Sequence, residues 1–269
     1  MLHFSLLMSI YSKTDSVYLD EAMTSIWTTQ KLKPTELVIV YDGNVCKSVE
    51  TVLDKWRNTL KGKLIEVRLE NNVGLARALN EGLKKCNYEL IARMDDDDFS
   101  LPDRFLMQVS YMEAHPEIAV LGTQVEECSQ DLSYVLMQKK LPTEPSDLIR
   151  FSKYRCPINH PSVIFRKSVI TKLGGYPIIY PEDFPLWAKV IVHGYKVANL
   201  PQVLMQMRQE EAIYQRRGRK FLIGELKMFK YMYQIGHLTF VQFVLNCLNR
   251  SIIRLSPNLI KKMLYKAMR

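Results

Sequence analysis

Residues Tyr88-Glu-Leu-Ile-Ala-Arg-Met94 run directly into Asp95-Asp96-Asp97-Asp98, and Phe99-Ser-Leu-Pro-Asp103 follows. The apolar run reads as a strand covered on both faces, the kind that lies inside a parallel sheet. Four adjacent carboxylates at its end repel one another, so a folded chain keeps them where cations or hydrogen-bond donors compensate. Mg2+ and Mn2+ take oxygen ligands of this kind and share them with substrate phosphates. In an extended segment residues i and i+2 point the same way, which gives Asp95 and Asp97 to one site. The run also reads as a solvated acidic loop, with Asp98 or Ser100 merely capping the next helix. Ser100, Pro102 and Asp103 form a helix start: an N-cap serine, an early proline and a carboxylate at the third helical position.

Upstream, strand and helix signals alternate. Phe4 to Ile10 is a continuous apolar run. Val17 to Gln30 carries Leu19, Ala22, Met23, Ile26 and Trp27 at helical spacing, with Asp15 or Ser16 as N-cap. Glu36 to Tyr41 is a second buried strand, ending at Asp42-Gly43. Val49, Val52, Leu53, Trp56 and Leu60 mark a helix, Leu64 to Leu69 a strand, and Leu75 to Cys86 a helix after Gly74. This order predicts an α/β fold with a mostly parallel central sheet flanked by helices. Ligands of such sheets bind beyond the carboxyl ends of the strands, so Tyr11, Asp42 and the Asp95 cluster converge on one crevice.

Downstream of His115-Pro116 the pattern is less regular. Glu117 to Glu126 and Ser162 to Arg166 read as strands, and Lys167 to Leu173 as a short helix closed by Gly174-Gly175. Pro181 to His193 reads as a helix opening with Glu182-Asp183. Val197 to Leu200 and Val203 to Met207 read as two short strands. Residues 208–269 are helical and basic, divided by Pro257. Without internal repeats or a Gly/Ser linker, the plan is one domain over 1–207 with a basic helical C-terminal appendage over 208–269.

The 269 residues are 47% hydrophobic and 24% charged, which excludes collagen-like, low-complexity and wholly disordered chains. Five widely spaced cysteines without a C-x-x-C pair argue against a zinc knuckle or disulfide framework and for a reducing compartment. The opening MLHFSLLMSIYSK lacks a basic n-region and a cleavage site, so it reads as a strand and not a signal peptide. The net charge is +9, unevenly spread. Residues 1–207 hold 24 Lys/Arg and 25 Asp/Glu, whereas residues 208–269 hold 13 Lys/Arg and 3 Asp/Glu. A patch of that kind suits an anionic membrane, a nucleic acid or a diphosphate. No run reaches the roughly 18 apolar residues of a spanning helix, so the chain is expected to lie on a membrane and not to cross it.

Two further acidic sites have the right chemistry. Asp42 ends a buried strand, where its carboxylate is able to accept hydrogen bonds from a base or ribose; an Asp-Gly turn is its plain structural role. Glu182-Asp183 opens an apolar helix whose dipole favours an ionised carboxylate, and a positioned base is what activation of a sugar hydroxyl requires. Simple N-terminal helix charge is the alternative.

The blocks SLLMSIYSKTDSVYLDEAMTSIW (5–27), ELVIVYDG (36–43), NNVGLARALNEGLKKC (71–86), LIARMDDDDFSLPDRFLMQ (90–108), HPSVIFRKSV (160–169), GGYPIIYPEDFPLWAKV (174–190) and NLPQVLMQMR (199–208) together resemble the family 2 glycosyltransferases with the GT-A (Rossmann-like) fold. They are most similar to the bacterial branch that assembles O-antigen (lipopolysaccharide) and exopolysaccharide repeating units. RRGRKF (216–221) and the ending RLSPNLIKKMLYKAMR (254–269) also have counterparts there.

The resemblance implies a nucleotide-sugar-binding half over 1–115 and an acceptor-side half over 116–207. It implies Tyr11 against the base, Asp42 on its polar edge, and Arg77 as a uracil or phosphate contact. Asp95 would face the ribose and Asp97 the metal, Mn2+ or Mg2+. Asp183 would be the catalytic base with Glu182 beside it. His160 would line the acceptor side, a satisfied core histidine being the alternative. Arg208, Arg216 and Arg217 would close over the pyrophosphate, with solvated charge as the default.

The family usually has Asp-Ala-Asp-Asp in the acidic block, so Asp96 leaves the metal ligand open among Asp95, Asp96 and Asp97. Ser9 stands where proline is common, and Met207-Arg208 replaces Tyr-Arg. No carboxylate needed for the chemistry is missing.

The implied activity is a metal-dependent inverting hexosyltransferase. It would move a hexose from a UDP-sugar (UDP-Gal, UDP-Glc or an N-acetyl analogue) to a polyprenyl-diphosphate-linked sugar with a β-linkage. The site implied is the inner face of the bacterial membrane, peripheral and cytoplasmic, with no nucleic acid as partner. Removal of 221–269 is expected to abolish membrane binding and leave a folded core. A sugar nucleotidyltransferase would need a Gly-rich loop after the first strand, and Ser9 to Thr14 has no glycine. A haloacid-dehalogenase phosphatase would need Thr/Val where Asp98-Phe99 stands. The rival outside catalysis is an inactive membrane- or nucleic-acid-binding adaptor built on the basic C-terminal region, with Phe221, Phe229, Tyr231 and Tyr233 stacking on bases.

Overall fold

The computed structural model, which describes residues 3–209 and 219–256, centres on four parallel strands. β1 (Phe4–Tyr11) lies between β2 (Glu36–Asp42) and β4 (Leu90–Met94), and β3 (Leu64–Leu69) pairs with β2 at the edge. The helices α1 (Ser16–Trp27), α2 (Lys47–Leu60) and α3 (Leu75–Lys85) connect them. Beyond β4 the sheet is mixed. β5 (Phe99–Ser100), β6 (Ile118–Cys128), β7 (Val135–Lys139), β8 (Ile164–Arg166) and β9 (Lys196–Arg208) complete the order β3-β2-β1-β4-β8-β6-β9-β5, with β7 on β6. β8 runs antiparallel to both β4 and β6, whereas β6 and β9 are parallel. The remaining helices are α4 (Arg104–Ala114), α5 (Pro145–Phe151), α6 (Lys167–Lys172), α7 (Asp183–Val192), α8 (Arg219–Gln234) and α9 (Phe240–Leu255).

The pleat explains the continuous apolar runs. Phe4, Leu6, Met8 and Ile10 enter the core shared with Leu19, Leu53, Trp56 and Phe105, whereas Leu7 enters the opposite one with Leu79, Ile170 and Trp187. Alternate side chains go to opposite faces, so a strand with helices on both sides has no polar face to show. The α3 backbone seats close to the sheet at Gly82, where a Cβ would lie 2.4 Å from Leu7 Cδ1 and 2.5 Å from Val40 Cγ2.

Two local expectations are corrected, and one left open is decided. Ser100 does not cap α4. Phe99–Ser100 pairs with β9, the Ser100 amide donates to Ser25 Oγ at 3.0 Å, and the Leu101 amide donates to the Leu204 carbonyl at 3.0 Å. With both amides taken, the helix begins at Arg104 behind Asp103. Val197–Leu200 and Val203–Met207 are one strand. Its register against β6 passes from Leu200 to Val203 between Thr123 and Gln124, which bulges out Pro201 and Gln202. Proline lacks the N–H a ladder needs, so the bulge falls there. At α1 the cap is Asp15, whose Oδ1 accepts from the amides of Val17 and Tyr18.

Of the expected basic helical region over 208–269, the described part forms α8 and α9, which roof α7, and Pro257 lies outside the described residues. Met228, Phe229 and Met232 pack on Phe184 and Ala188. Lys153 Nζ donates to the His237 carbonyl at 2.6 Å, Asn246 Nδ2 donates to the Lys153 carbonyl at 2.9 Å, and buried Glu225 takes Arg254 in a two-pronged pair. Deleting 221–269 would uncover Phe184 and Ala188, so that truncation is expected to destabilise the core as well as to remove the basic region.

His237 sits in the turn between α8 and α9, against Ser152. Burial, reinforced by Lys153, holds its imidazole neutral down to about 4, from 6.5. A depressed folded pKa contributes stability above the unfolded value that is lost as pH falls toward the folded one. His237→Gln is therefore expected to flatten the stability curve by up to about 1.4 kcal/mol per pH unit between about pH 6.5 and about pH 4. Urea midpoints of the two proteins across that range test this; parallel curves would refute it.

Candidate active site

The carboxyl ends of β1, β2 and β4 lie side by side, with Tyr11 opposite Asp42 and Met8 opposite Met94. Tyr11 is part-exposed at the rim. Its amide donates to Thr14 Oγ1 at 2.9 Å, and the Thr14 hydroxyl donates to Asp96. Asp42 is buried, and its two oxygens accept the amides of Val73 (2.6 Å) and Gly74 (3.0 Å). The carboxylate thus fixes the turn that leads into α3, where Gly74 has φ +87°. Arg77, one turn into α3, opens onto a cavity of about 890 Å3 together with Val73, Asn80, Lys84, Lys167 and Gly175. None of the acidic-block carboxylates lines that cavity.

The acidic block turns sharply instead of staying extended. Asp96 is drawn away to Thr14. Asp95, Asp97 and Asp98 each bring an oxygen within 4.8 Å of the others. The sequence paired Asp95 with Asp97; the turn adds Asp98, which reads as a helix cap when the segment is taken alone. An all-oxygen donor set of three carboxylates fits Mg2+ or Mn2+. Burial, with Asp95 and Asp96 adding like charge, pushes the Asp97 carboxyl up to about 7.

Arg208 is the strap over this turn. Its amide donates to Asp98 at 3.2 Å, its Nε donates to the Gln130 carbonyl at 2.7 Å, and its guanidinium reaches Glu21 and the Asp97 carbonyl. The same group lies 4.4 Å from the Tyr18 ring centre. Arg208 thus orders the backbone around the carboxylates. Arg216 and Arg217 lie outside the described residues.

The second acidic site opens α7. Glu182 is buried, with its Oε1 3.5 Å from His160 Nδ1, and His160 Nε2 lies 3.1 Å from the Tyr176 hydroxyl. Burial raises the Glu182 carboxyl and keeps His160 neutral down to about 3. Asp183, the first residue of α7, accepts from Cys156 Sγ at 3.6 Å. Between the two acidic sites lies Arg93, 2% exposed, donating to Asp95. Its positive charge also reaches Glu182, His160 and Tyr176. Buried Arg104 braces the frame by donating to the carbonyls of Arg93 (2.7 Å) and Pro161 (3.0 Å). Sequence reasoning missed Thr14, Arg93, Asp98 and Arg104. Only Arg93 leaves a signal: a full charge inside an otherwise apolar strand.

A sheet with nucleotide-type strand ends, a carboxylate turn on β4 and a carboxylate pair opening a facing helix is the arrangement of GT-A enzymes. The profile of Glycosyl transferase family 2 matches residues 5–173, and the chain belongs to that family. It is 37% identical over 98% of both chains to the amylovoran biosynthesis glycosyltransferase AmsE of Erwinia amylovora. It is 36% identical, over 98% of its own length and 95% of the relative's, to the Escherichia coli UDP-Gal:alpha-D-GlcNAc-diphosphoundecaprenol beta-1,3-galactosyltransferase. These relatives put it in the exopolysaccharide and O-antigen branch. Among solved structures, S. aureus TarS 1-349 in complex with UDP-GlcNAc superposes with a TM-score of 0.67 at 17% identity, covering 93% of this chain and 72% of that one. The mannosyltransferase PcManGT of Pyrobaculum calidifontis, in complex with GDP-Man and Mn2+, gives 0.66 at 17% identity, covering 86% and 64%. At that identity the likeness is one of fold: an α/β sheet of GT-A type.

Proposed function

We propose that this glycosyltransferase moves a hexose from a UDP-sugar to a polyprenyl-diphosphate-linked saccharide at the inner face of the bacterial membrane, with inversion to a β-linkage. The donor class is UDP-Gal, UDP-Glc or an N-acetyl analogue. The observation that carries the reading is a pair of acidic sites at the end of one sheet: three carboxylates gathered in the turn after β4, with buried Arg93 donating to Asp95, and Glu182-Asp183 opening α7 against His160. The near-full-length match to a relative named for UDP-Gal and a diphosphoundecaprenol-linked GlcNAc supports the substrate class.

In this reading Asp183, at the positive end of α7, takes the proton from the acceptor hydroxyl as it attacks the anomeric carbon. Glu182 and His160 form the buried wall that orients the acceptor. Asp95, Asp97 and Asp98 would hold Mn2+ or Mg2+, which when bound neutralises charge on the departing diphosphate. Arg93 holds the Asp95 carboxylate in place. Tyr11, the Asp42-fixed turn and Arg77 form the nucleoside side, and Arg216 and Arg217 are the candidate cations for the diphosphate. No described helix is long and apolar enough to cross a membrane.

The test is turnover of a panel of UDP- and GDP-sugars, with and without Mn2+, on a lipid-diphosphate GlcNAc or GalNAc acceptor. A metal-dependent β-linked product from one UDP-hexose is the expected result. No turnover, together with no nucleotide-sugar binding by calorimetry, would overturn it and favour the adaptor.

A further inference from the structure

The C-terminal helices offer more than basic charge: the arginines of α9 turn inward, and an apolar face turns outward. Arg250 and Arg254 are the only charged residues of α9, and both pair with buried Glu225. The outward face of the helix is apolar. Val241, Leu245, Leu248, Ile252 and Leu255 follow at steps of four and three, the spacing of one helical stripe. Each is between 47% and 64% exposed. Phe240 extends the stripe at its start, and Asn249 is the polar residue among the exposed positions of the segment 241–255. A capping box at Thr239 and Gln242 fixes the start of the helix, and Asn246 and Ile253 anchor its inner side. The stripe therefore belongs to a firmly seated helix and not to a frayed end. A contiguous row of large aliphatic side chains left in water is unfavourable, which marks the row as a contact surface.

A second copy of the chain is a poor occupant. The helix is about 24 Å long, and a stripe about 10 Å wide on it offers about 240 Å2, against about 800 Å2 per partner in a stable interface. The seam lasts about two heptads, short of the three to four that define a coiled coil. Within the helix itself Arg250 and Arg254 are turned to Glu225, so no charge on α9 sets a partner's register. A bilayer imposes neither requirement, because each apolar side chain that enters the headgroup boundary gains independently. The charge is complementary as well. Lys227 and Lys230 are exposed on the neighbouring α8. Residues 257–269 add Lys261, Lys262, Lys266 and Arg269 with no acidic residue, and residues 208–269 carry 13 Lys/Arg against 3 Asp/Glu.

We propose that the outward face of α9 is the membrane-docking surface of this protein, inserting Val241, Leu245, Leu248, Ile252 and Leu255 into the headgroup boundary of an anionic bilayer, with Lys227 and Lys230 of α8 acting as electrostatic guides. The proposal rests on the reading of a lipid-linked acceptor and deepens it. The docking helix packs through α8 on α7, the helix that begins with Asp183, so the face that holds the bilayer and the base that meets the acceptor share one rigid support.

The test is co-sedimentation of the full chain with vesicles of phosphatidylglycerol and phosphatidylethanolamine. Leu248→Asp/Ile252→Asp is expected to lower the bound fraction about tenfold or more, while the melting temperature holds because both side chains are exposed. Lys227→Ala/Lys230→Ala should weaken binding only modestly. Wild-type binding should persist in part at about 1 M salt, where the Debye length is about 3 Å. Three results would overturn the proposal: wild-type-like binding of the aspartate variant, complete release of the wild type by salt, or a wild type that ignores vesicles and forms a dimer that the aspartates dissolve. Nucleotide-sugar calorimetry on the same preparations reports separately on the donor site, so failure of docking and failure of the catalytic reading are told apart.

Discussion

Asp183→Asn is expected to lower kcat by about 10^2- to 10^4-fold, the range for loss of a positioned general base, while nucleotide-sugar affinity stays near that of the wild type. The substitution nearly preserves shape. Asp183 opens α7 and touches Cys156, so the fold loses only a helix-terminal charge, about 0.3–1 kcal/mol. The measurement is single-turnover kinetics on the lipid-linked acceptor beside donor calorimetry. Turnover that survives the change would remove Asp183 from the role of base. Glu182→Gln is the internal comparison: its carboxyl is buried against His160, so its loss should act on acceptor KM more than on kcat.

Asp97→Asn is expected to cost about 10^2- to 10^3-fold in metal-dependent turnover, the scale of losing a stabiliser of leaving-group charge. It has a second signature independent of activity. Asp97 shares its turn with Asp95 and Asp98, whose oxygens lie within 4.8 Å, and burial with like charge pushes its carboxyl up to about 7. A folded pKa raised above the unfolded one means that ionisation at higher pH opposes folding. At about pH 8 without metal the neutral asparagine should therefore be the more stable protein. Wild type should gain about 2.7 kcal/mol at Mn2+ a hundredfold above its Kd, and Asp97→Asn should gain far less. Equal Mn2+-induced shifts in melting temperature would show that the ion is held elsewhere.

The parallel half of the fold was legible because its signals are local. Phe4 to Ile10, Glu36 to Tyr41 and Leu90 to Met94 are largely apolar without alternation, and helices of 3.6-residue period lie between and after them. That pattern leaves few topologies, and it puts Tyr11, Asp42 and Asp95 at neighbouring strand ends. Glu182-Asp183 was visible as the opening of an apolar helix. The short β5 was not visible, because two residues carry no period. Ser100 looked like a cap until β9 and Ser25 took the amides around it.

The sequence by itself determined the α/β alternation, the family blocks and the carboxylates that chemistry at a diphosphate needs. These are encoded in runs and spacings a few residues long. Only the tertiary structure decided which carboxylates face one another, that Thr14 draws Asp96 aside, that Arg93 links the two acidic sites, and that α8 and α9 seat on α7 while α9 turns an apolar face outward. Each of these depends on groups many residues apart in the chain, from Thr14 and Asp96 to Phe184 and Phe229. Their proximity is fixed by sheet order, register and helix packing, and none of those is written in any one segment.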